Sequence, residues 1–373
     1  MQQDGNGTLM STQGDGEEAA VKTEKTGRRT KSARPTIRDV SRLAGVSRMT
    51  VSRVMSEPER VLPETRDRVL RAIADLGYVP DKAAGSLSSR RTGFIALILP
   101  TLTNANFSTV AHGLTEVLRE ADYHLLIAYT GYDKAEEERQ LASLLARRPE
   151  AIILTGAAHS RAASRMLLSA EIPVLEAADL SGRPFQHAVG FSNYEVGRVA
   201  ARHLISRGWR RIGAVGAVQD GQVGDYRGEE RIRGFEDELR LSGLSTDLVL
   251  RHGSAPVSYA HGAAAISILL QREPAIEAVF AVSDLSAVGV IMECQRRGID
   301  VPASLSVMGF GDFEIGRSIN PPLTTIHVDF HALGRRAGAI LLDVLAGDSE
   351  DEAPHVVDVG LTLIERDSVG RKG

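Results

Sequence analysis

From Phe94 onward, short apolar runs alternate with amphipathic stretches of helical period, and Gly and Pro residues separate them. Ten apolar runs are strand candidates: 94–99, 124–129, 151–154, 173–176, 187–191, 211–215, 248–251, 278–282, 306–310 and 323–328. Strands that alternate with helices form a parallel sheet covered on both faces. Because ten strands exceed one ordinary sheet and the rhythm restarts at Arg211, we predict two doubly wound α/β lobes with a ligand crevice between them.

The length and composition indicate a folded chain with more than one domain. At 373 residues, the chain exceeds the size of one hydrophobic core, and 43% hydrophobic with 25% charged residues is ordinary for globular proteins. A single cysteine, Cys294, excludes a disulfide framework and a thiol-based zinc site, and we expect it to be buried. No secretion signal or membrane-spanning run is recognisable, so we expect a cytoplasmic protein.

Charge is distributed unevenly along the chain. Residues 28–91 contain about fifteen Lys and Arg against about seven Asp and Glu, roughly +8, whereas residues 92–373 carry roughly −9. A basic segment joined to an acidic body is typical of a protein that binds nucleic acid through one end only. Residues 1–33 have almost no aliphatic side chains, and we expect them to form a disordered arm.

The basic segment contains the pattern of three short helices. Thr36 followed by Asp39 is a capping box at a helix start, and Gly45 is suited to end that helix. Ser47 is a candidate cap for the second helix, and Pro63 suits the first turn of the third. Together these signals predict a helix-turn-helix, whose second helix would enter the major groove of DNA.

Residues 36–54, TIRDVSRLAGVSRMTVSRV, closely resemble the signature of the LacI/GalR family of repressors. Further family-like segments are 65–66 (TR), 76–80 (LGYVP), 208–213 (GWRRIG), 283–289 (SDLSAVG) and 323–326 (LTTI). Within the family, the segments most similar to the gluconate-utilisation repressors are 48–53 (RMTVSR), 104–107 (NANF) and 293–296 (ECQR). The resemblance extends over residues 34–370 and implies a DNA-binding repressor with a periplasmic-binding-protein-like body.

The pattern and the resemblance together predict five segments. They are a disordered arm (1–33), a helix-turn-helix domain (34–80), a hinge helix (81–91), a first lobe (92–191 with 322–350) and a second lobe (192–321 with 351–373). The resemblance implies that the hinge helix orders on operator DNA and inserts Leu87 into the minor groove, bending the duplex. Asp81 replaces the amide usual at its position in the family.

The second helix of the head is expected to read the operator. Arg48 and Arg53 can each donate two hydrogen bonds to a guanine edge, and Met49 can contact a thymine methyl group. The hydroxyl-bearing residues expected to contact phosphates are Thr36, Ser47, Thr50, Ser52 and Tyr78. One such domain reads too few base pairs, so we expect a homodimer on a near-palindromic operator, with a tetramer as the alternative.

The resemblance places an effector between the two lobes. By position, Asn106 and Phe107 would follow the first strand, Arg231 would come from the second lobe, and Ser283 and Asp284 from a later loop. Arg231 can pair with a carboxylate, while Asp284 can accept hydrogen bonds from hydroxyl groups. The expected effector is a sugar or a sugar acid such as gluconate. Relief of repression is the favoured response, and co-repression is the alternative.

A doubly wound body often houses catalysis, so an enzyme is the main alternative to a regulator. The chain contains no Walker A sequence, no complete dinucleotide fingerprint and no His-Glu-x-x-His or cysteine-rich metal spacing. Its ten histidines are scattered along the sequence, His112 among them. A transport protein with the same body would carry a secretion signal and lack the basic head. We therefore predict a regulator without a cofactor, a metal site or a catalytic residue.

Overall fold

The computed structural model describes residues 34–79, 91–221, 223–347 and 353–372. Contacts divide the chain into two compact units, with the boundary between residues 79 and 91. We call residues 34–79 the head and the described residues from 91 onward the body. The predicted arm, Leu87 and residues 81–90 of the predicted hinge helix lie outside the described residues.

The head consists of three helices, as the capping signals predicted. They are α1 (Ile37–Ala44), α2 (Arg48–Ser56) and α3 (Pro63–Leu76), with a 3-10 turn at Pro58–Arg60 between the last two. Apolar side chains that recur at helical spacing face inward and form its small core: Val40, Ala44, Val51, Val54, Val69 and Ala72. Burial of these faces holds together helices that would be too short to persist alone in water.

Twelve strands and nine helices make up the described part of the body. The strands are β1 (Phe94–Leu99), β2 (His124–Tyr129), β3 (Ala151–Thr155), β4 (Val174–Ala177), β5 (His187–Gly190), β6 (Ile212–Gly216), β7 (Val249–Arg251), β8 (Ala278–Ala281), β9 (Ser306–Phe310), β10 (Thr324–His327), β11 (Val356–Asp358) and β12 (Thr362–Ile364). The helices are α4 (Ala105–Glu120), α5 (Lys134–Leu145), α6 (Arg161–Ala170), α7 (Asn193–Ser206), α8 (Tyr226–Leu241), α9 (Tyr259–Arg272), α10 (Asp284–Arg296), α11 (Glu314–Ser318) and α12 (Phe330–Ala346).

These strands form two six-stranded sheets, one in each lobe. The strand order is β11-β5-β4-β3-β1-β2 in the first lobe and β12-β10-β9-β8-β6-β7 in the second. Each of the ten predicted strands is present within one residue at both ends. Central strands such as β1 are buried almost throughout because helices cover both faces, and this burial explains their continuous apolar sequence. The predicted two-lobed α/β architecture is confirmed.

The limits predicted for the lobes near the end of the chain differ from the observed ones. Residues 322–350 were assigned to the first lobe, but β10 pairs in parallel with β9 in the second sheet. Residues 351–373 were assigned to the second lobe, but β11 pairs in parallel with β5 in the first sheet. The chain therefore passes between the lobes after β5, after β10 and after β11, and only the helix α12 of the stretch 322–350 packs on the first lobe.

Two strands were not predicted from the sequence. β11 and β12 have three residues each and lie at the outer edges of their sheets, so neither forms a long apolar run. β12 runs antiparallel to β10, and the second sheet is therefore not parallel throughout. Cys294 is completely buried, as expected. Of the helices in the described residues, none has the length and apolar character needed to cross a membrane.

Candidate functional site

Capping hydrogen bonds and a glycine turn define where α1 ends and where α2 begins. Gly45 ends α1 in the left-handed conformation at φ +65°, and the Ser47 hydroxyl accepts a hydrogen bond of 3.0 Å from the Thr50 backbone N–H. The Asp39 carboxylate accepts hydrogen bonds from the Thr36 backbone N–H and hydroxyl, at 2.9 and 2.7 Å. These bonds lower the pKa of Asp39, so the carboxylate that caps α1 stays ionised.

The side chains predicted to read bases project from the first turns of α2 into solvent. Arg48 and Arg53 are exposed, and neither donates a hydrogen bond to another group within the described residues. Met49 exposes 71% of its surface although it is apolar. In the free protein, this exposed methionine does not gain the free energy of hydrophobic burial. Contact with a base edge would provide it.

The residues predicted to contact phosphates lie in different surroundings. Ser52 is exposed on α2, and Thr50 is half-buried with its hydroxyl 2.9 Å from that of Ser47. Thr36 is exposed at the start of α1. Tyr78 packs partly against the core of the head. The structure thus brings together Arg48, Met49, Ser52 and Arg53 on one helix face or its edges, while Tyr78 has a packing role as well.

The body contains a cleft between the lobes, at the carboxyl ends of strands from both sheets. Residues of both lobes line it, and the space inside it that the centre of a water-sized sphere can reach is about 40 Å³. Of the five residues predicted to bind effector, four line this cleft: Asn106, Phe107, Arg231 and Ser283. Asn106 and Phe107 begin α4, whose first turn is capped by the side chain of Asn104.

Arg231 is almost completely buried in the wall of the cleft. Its Nη1 donates a hydrogen bond of 2.5 Å to the Asn193 side chain, and its Nη2 lies 3.6 Å from an Asp225 carboxylate oxygen. Its guanidinium stacks over the Phe310 ring at 4.4 Å from the centroid. The Nε atom has no partner among the described residues. Burial lowers the pKa of Arg231, and its Nε–H is a buried donor that makes no hydrogen bond within the described residues.

Arg227 is a second cleft arginine, one turn before Arg231 on α8, that the sequence did not single out. Its Nη1 donates a hydrogen bond of 2.8 Å to the Thr155 carbonyl, and its guanidinium lies over the Phe107 ring at 5.1 Å. Asp225 approaches Arg227 at 3.9 Å as well as Arg231 at 3.6 Å. Since these three are the charged residues that line the cleft, its lining carries one excess positive charge.

Neutral groups complete the cleft. Tyr132 is half-buried, and its pKa is raised by burial and by the Asp225 carboxylate, so its phenol keeps its proton. Phe191, Phe310 and Phe330 contact one another with ring centroids 5.7 to 6.4 Å apart. These apolar faces beside hydrogen-bonding groups suit a ligand whose carbon skeleton and polar edges lie on different sides.

Asp284 does not line the cleft, contrary to the prediction that it binds effector hydroxyls. It is fully buried at the start of α10, where its carboxylate accepts hydrogen bonds from the Thr325 hydroxyl at 2.6 Å and the Phe313 backbone N–H at 2.8 Å. Burial raises the pKa of Asp284 to about 6. The residue therefore links the start of α10 to β10 and to the segment before α11 in the second lobe, and its neighbour Ser283 lines the cleft instead.

Comparison with known proteins identifies the two parts of the chain. Residues 36–81 match the bacterial regulatory proteins of the lacI family, and residues 201–369 match the periplasmic binding protein-like domain. The HTH-type transcriptional regulator GntR of Pseudomonas aeruginosa is 34% identical over 337 residues, covering 90% of this chain and 96% of the relative. The chain belongs to the lacI family. It is a DNA-binding transcriptional repressor and not an enzyme, since its relatives are named transcription regulators.

Solved structures of family members support the same assignment. A LacI-family transcriptional regulator from Silicibacter pomeroyi is 34% identical, with a TM-score of 0.83, and the match covers 90% of this chain and all of that one. A complex of the transcriptional regulator CelR with cellobiose is 30% identical, with a TM-score of 0.64 and the same coverage. The repressor described here therefore has both the head and the body of the family.

Proposed function

We propose that this repressor responds to a sugar acid of the gluconate type, which binds in the cleft between the lobes. The observation that carries the proposal is the pair of arginines, Arg227 and Arg231, opposed by the single carboxylate of Asp225. A carboxylate ligand would neutralise the excess positive charge and accept charge-assisted hydrogen bonds from the guanidinium groups. A neutral sugar has no carboxylate to accept these charge-assisted hydrogen bonds.

The remaining lining would hold the polyol chain of the ligand. Asn106, Ser283 and Tyr132 offer amide and hydroxyl groups that can donate and accept hydrogen bonds with sugar hydroxyls. Phe107 and the phenylalanines beneath it offer apolar faces for the C–H groups. The similarity to regulators named GntR is consistent with this proposal, and the cellobiose bound to the CelR structure is consistent only with a sugar as the class of ligand.

DNA binding would be controlled by the angle between the lobes. The loop after β2 already touches the segment before α8, where the Gly224 N–H donates a hydrogen bond of 3.1 Å to the Tyr132 carbonyl. An effector that contacts both sides of the cleft stabilises one lobe arrangement by its differential affinity for it. We propose that this arrangement disfavours operator binding, in a cytoplasmic homodimer whose two heads read a near-palindromic operator.

The effector is tested by calorimetric titration of the full-length protein with gluconate and with glucose. We expect gluconate to bind at least about tenfold more tightly, because a hydrogen bond to a charged group contributes roughly 1.5–3 kcal/mol. Arg227→Ala and Arg231→Ala should each remove most of that advantage. Arg233→Ala is the matched control, since Arg233 lies on the same helix but is exposed and pairs with Glu230 outside the cleft.

If neither compound binds, or if both arginine variants weaken gluconate and glucose equally, the sugar-acid assignment is wrong. The direction of control is measured separately, with an operator selected in vitro and gluconate added to the protein–DNA complex. Loss of operator affinity supports induction. A gain in affinity would instead establish the co-repressor scheme, without affecting the assignment of the cleft.

A further inference from the structure

Three side chains with metal-ligand chemistry meet on the surface of the first lobe. His112 and Glu116 lie one turn apart on α4, and His331 is the second residue of α12. The Nε2 atom of His112 lies 3.4 Å from one Glu116 carboxylate oxygen, and the Nε2 atom of His331 lies 3.1 Å from the other. One ligand atom of each residue lies within 4.8 Å of the others. None of the three lines the effector cleft.

The backbone holds these side chains together. A Cβ atom on Gly113 would lie 2.3 Å from the carbonyl oxygen of His331, and a Cβ atom on Gly334 would lie 2.3 Å from the carbonyl oxygen of Val110. Only glycine permits two helices to approach so closely, so Gly113 and Gly334 set the distance between α4 and α12 where they cross. Their spacing fixes the backbone positions of the three side chains before any ion arrives, and such preorganisation favours binding.

We propose that His112, Glu116 and His331 bind a divalent transition metal ion of the zinc class. Two imidazole nitrogens and one carboxylate oxygen are a ligand set that Zn²⁺ accepts, with a fourth position left for water. Zinc–ligand bonds of about 2.0–2.1 Å in a tetrahedron place neighbouring ligand atoms about 3.3 Å apart. The observed nitrogen–oxygen distances of 3.4 and 3.1 Å run to different oxygens of Glu116, and one ligand atom of each residue lies within 4.8 Å of the others, so side-chain rotations would bring the three atoms to that spacing. The bound ion would link α4 to α12.

Arg335 is the neighbour that opposes this site. Its Nη1 donates a hydrogen bond of 2.8 Å to the same Glu116 oxygen that faces His331. A metal ion must share or displace this contact, and it also meets the positive charge of the guanidinium. Removing Arg335 should therefore strengthen metal binding, whereas a purely structural role for the cluster predicts no such gain.

Titration of the untagged full-length protein with Zn²⁺, followed by calorimetry, tests the site. We expect one ion per chain, and a loss of affinity of at least about tenfold in His112→Ala and in His331→Ala, because even outer-shell changes cost that much at metal sites. Arg335→Ala should bind Zn²⁺ several-fold more tightly. His124→Ala, at an exposed histidine on β2 of the same lobe, is the matched control and should bind like the parent.

Substitution with Co²⁺ adds a spectroscopic readout, since a tetrahedral nitrogen and oxygen site gives visible absorption that water-bound Co²⁺ lacks. The proposal is wrong if Zn²⁺ does not bind, or if both histidine variants bind it as the parent does. It is also wrong if His124→Ala loses as much affinity as they do. Because His112 is exposed and His331 is half-buried on a helix surface, thermal melting should confirm that each variant is folded. No effector is present, so these outcomes are independent of the proposed function.

Discussion

In the head, Arg48, Met49 and Arg53 project from a single exposed helix, whereas in the cleft Arg227 and Arg231 are buried against partners from distant segments. Arg231 alone contacts Asn193, Asp225 and Phe310. A head side chain that is predicted to contact bases can therefore be replaced with little effect on folding. A change in the cleft disturbs its partners as well, so binding and stability are coupled there.

This contrast is tested most strongly by Gly197→Ala on α7. A Cβ atom there would lie 1.9 Å from the carbonyl oxygen of Arg231, so α7 and α8 would have to separate. We expect the body to lose about 3 kcal/mol or more of unfolding free energy, together with effector affinity. Urea unfolding and calorimetry measure both effects, and hydrogen exchange of the head amides should be unchanged.

Gly182→Ala is the control for that experiment. Its Cβ would meet nothing closer than the Ala157 side chain at 3.8 Å. Equal stability of the two variants would show that the α7–α8 crossing adapts easily. Binding and stability would then be no more strongly coupled in the cleft than in the head.

A second prediction concerns Asp284 and pH. Its folded pKa of about 6 lies above the ordinary value of 3.8, so the folded state favours the protonated acid. The stability that this preference contributes is fully present below pH 4 and is lost as the pH rises through about 6. The shift corresponds to roughly 2–3 kcal/mol. Urea unfolding at a series of pH values should show this loss in the parent, and Asp284→Asn should not share it.

Parallel pH curves for parent and Asp284→Asn would mean that Asp284 stays ionised in its buried position. Effector affinity near neutral pH provides an independent check, because Asp284 does not line the cleft. If Asp284→Asn lost as much gluconate affinity as Arg231→Ala, Asp284 would take part in effector binding, contrary to the structural role described here.

The smallest expected effect is Arg48→Ala in the head. It should cost about 1–3 kcal/mol of operator affinity and relax the preference at one base position. Ser52→Ala, on the same helix, should weaken all operators alike because its hydroxyl is expected to contact phosphate. Selection of operators from a random pool separates the two. If Arg48→Ala keeps the same preferred base, Arg48 does not read a base. If Arg48→Ala changes effector affinity, the head and the cleft are not independent.

Local signals in the sequence were sufficient for the head. The Thr36–Asp39 cap, the turn at Gly45 and the Ser47 cap each involve residues no more than a few positions apart. Hydrogen bonds of this kind form wherever the local backbone takes helical geometry, so sequence spacing predicts them. The ten predictions of strands in the body were also correct, because a strand buried on both faces needs a continuous apolar run; the short edge strands β11 and β12 have no such run and were not predicted.

The cleft could be predicted only in part. The family resemblance located Asn106, Phe107, Arg231 and Ser283, but it also selected Asp284, whose carboxylate turns toward Thr325. Arg227 was overlooked because an arginine beside Arg231 on an amphipathic helix looks like an ordinary surface charge. Its place in the cleft depends on contacts with Phe107 and Thr155, which come from the other lobe.

The sequence by itself determined the helices of the head, ten of the twelve strands of the body and the order in which these elements alternate, because short-range periodicity and capping encode each of these. Only the tertiary structure decided which lobe receives β10 and β11, how Arg227 and Arg231 share Asp225, and that His331 meets His112 and Glu116. Apart from the sharing of Asp225, these relations join residues that are distant along the chain. Sheet pairing and helix crossing at glycines bring them together, and neither leaves a short-range pattern in the sequence.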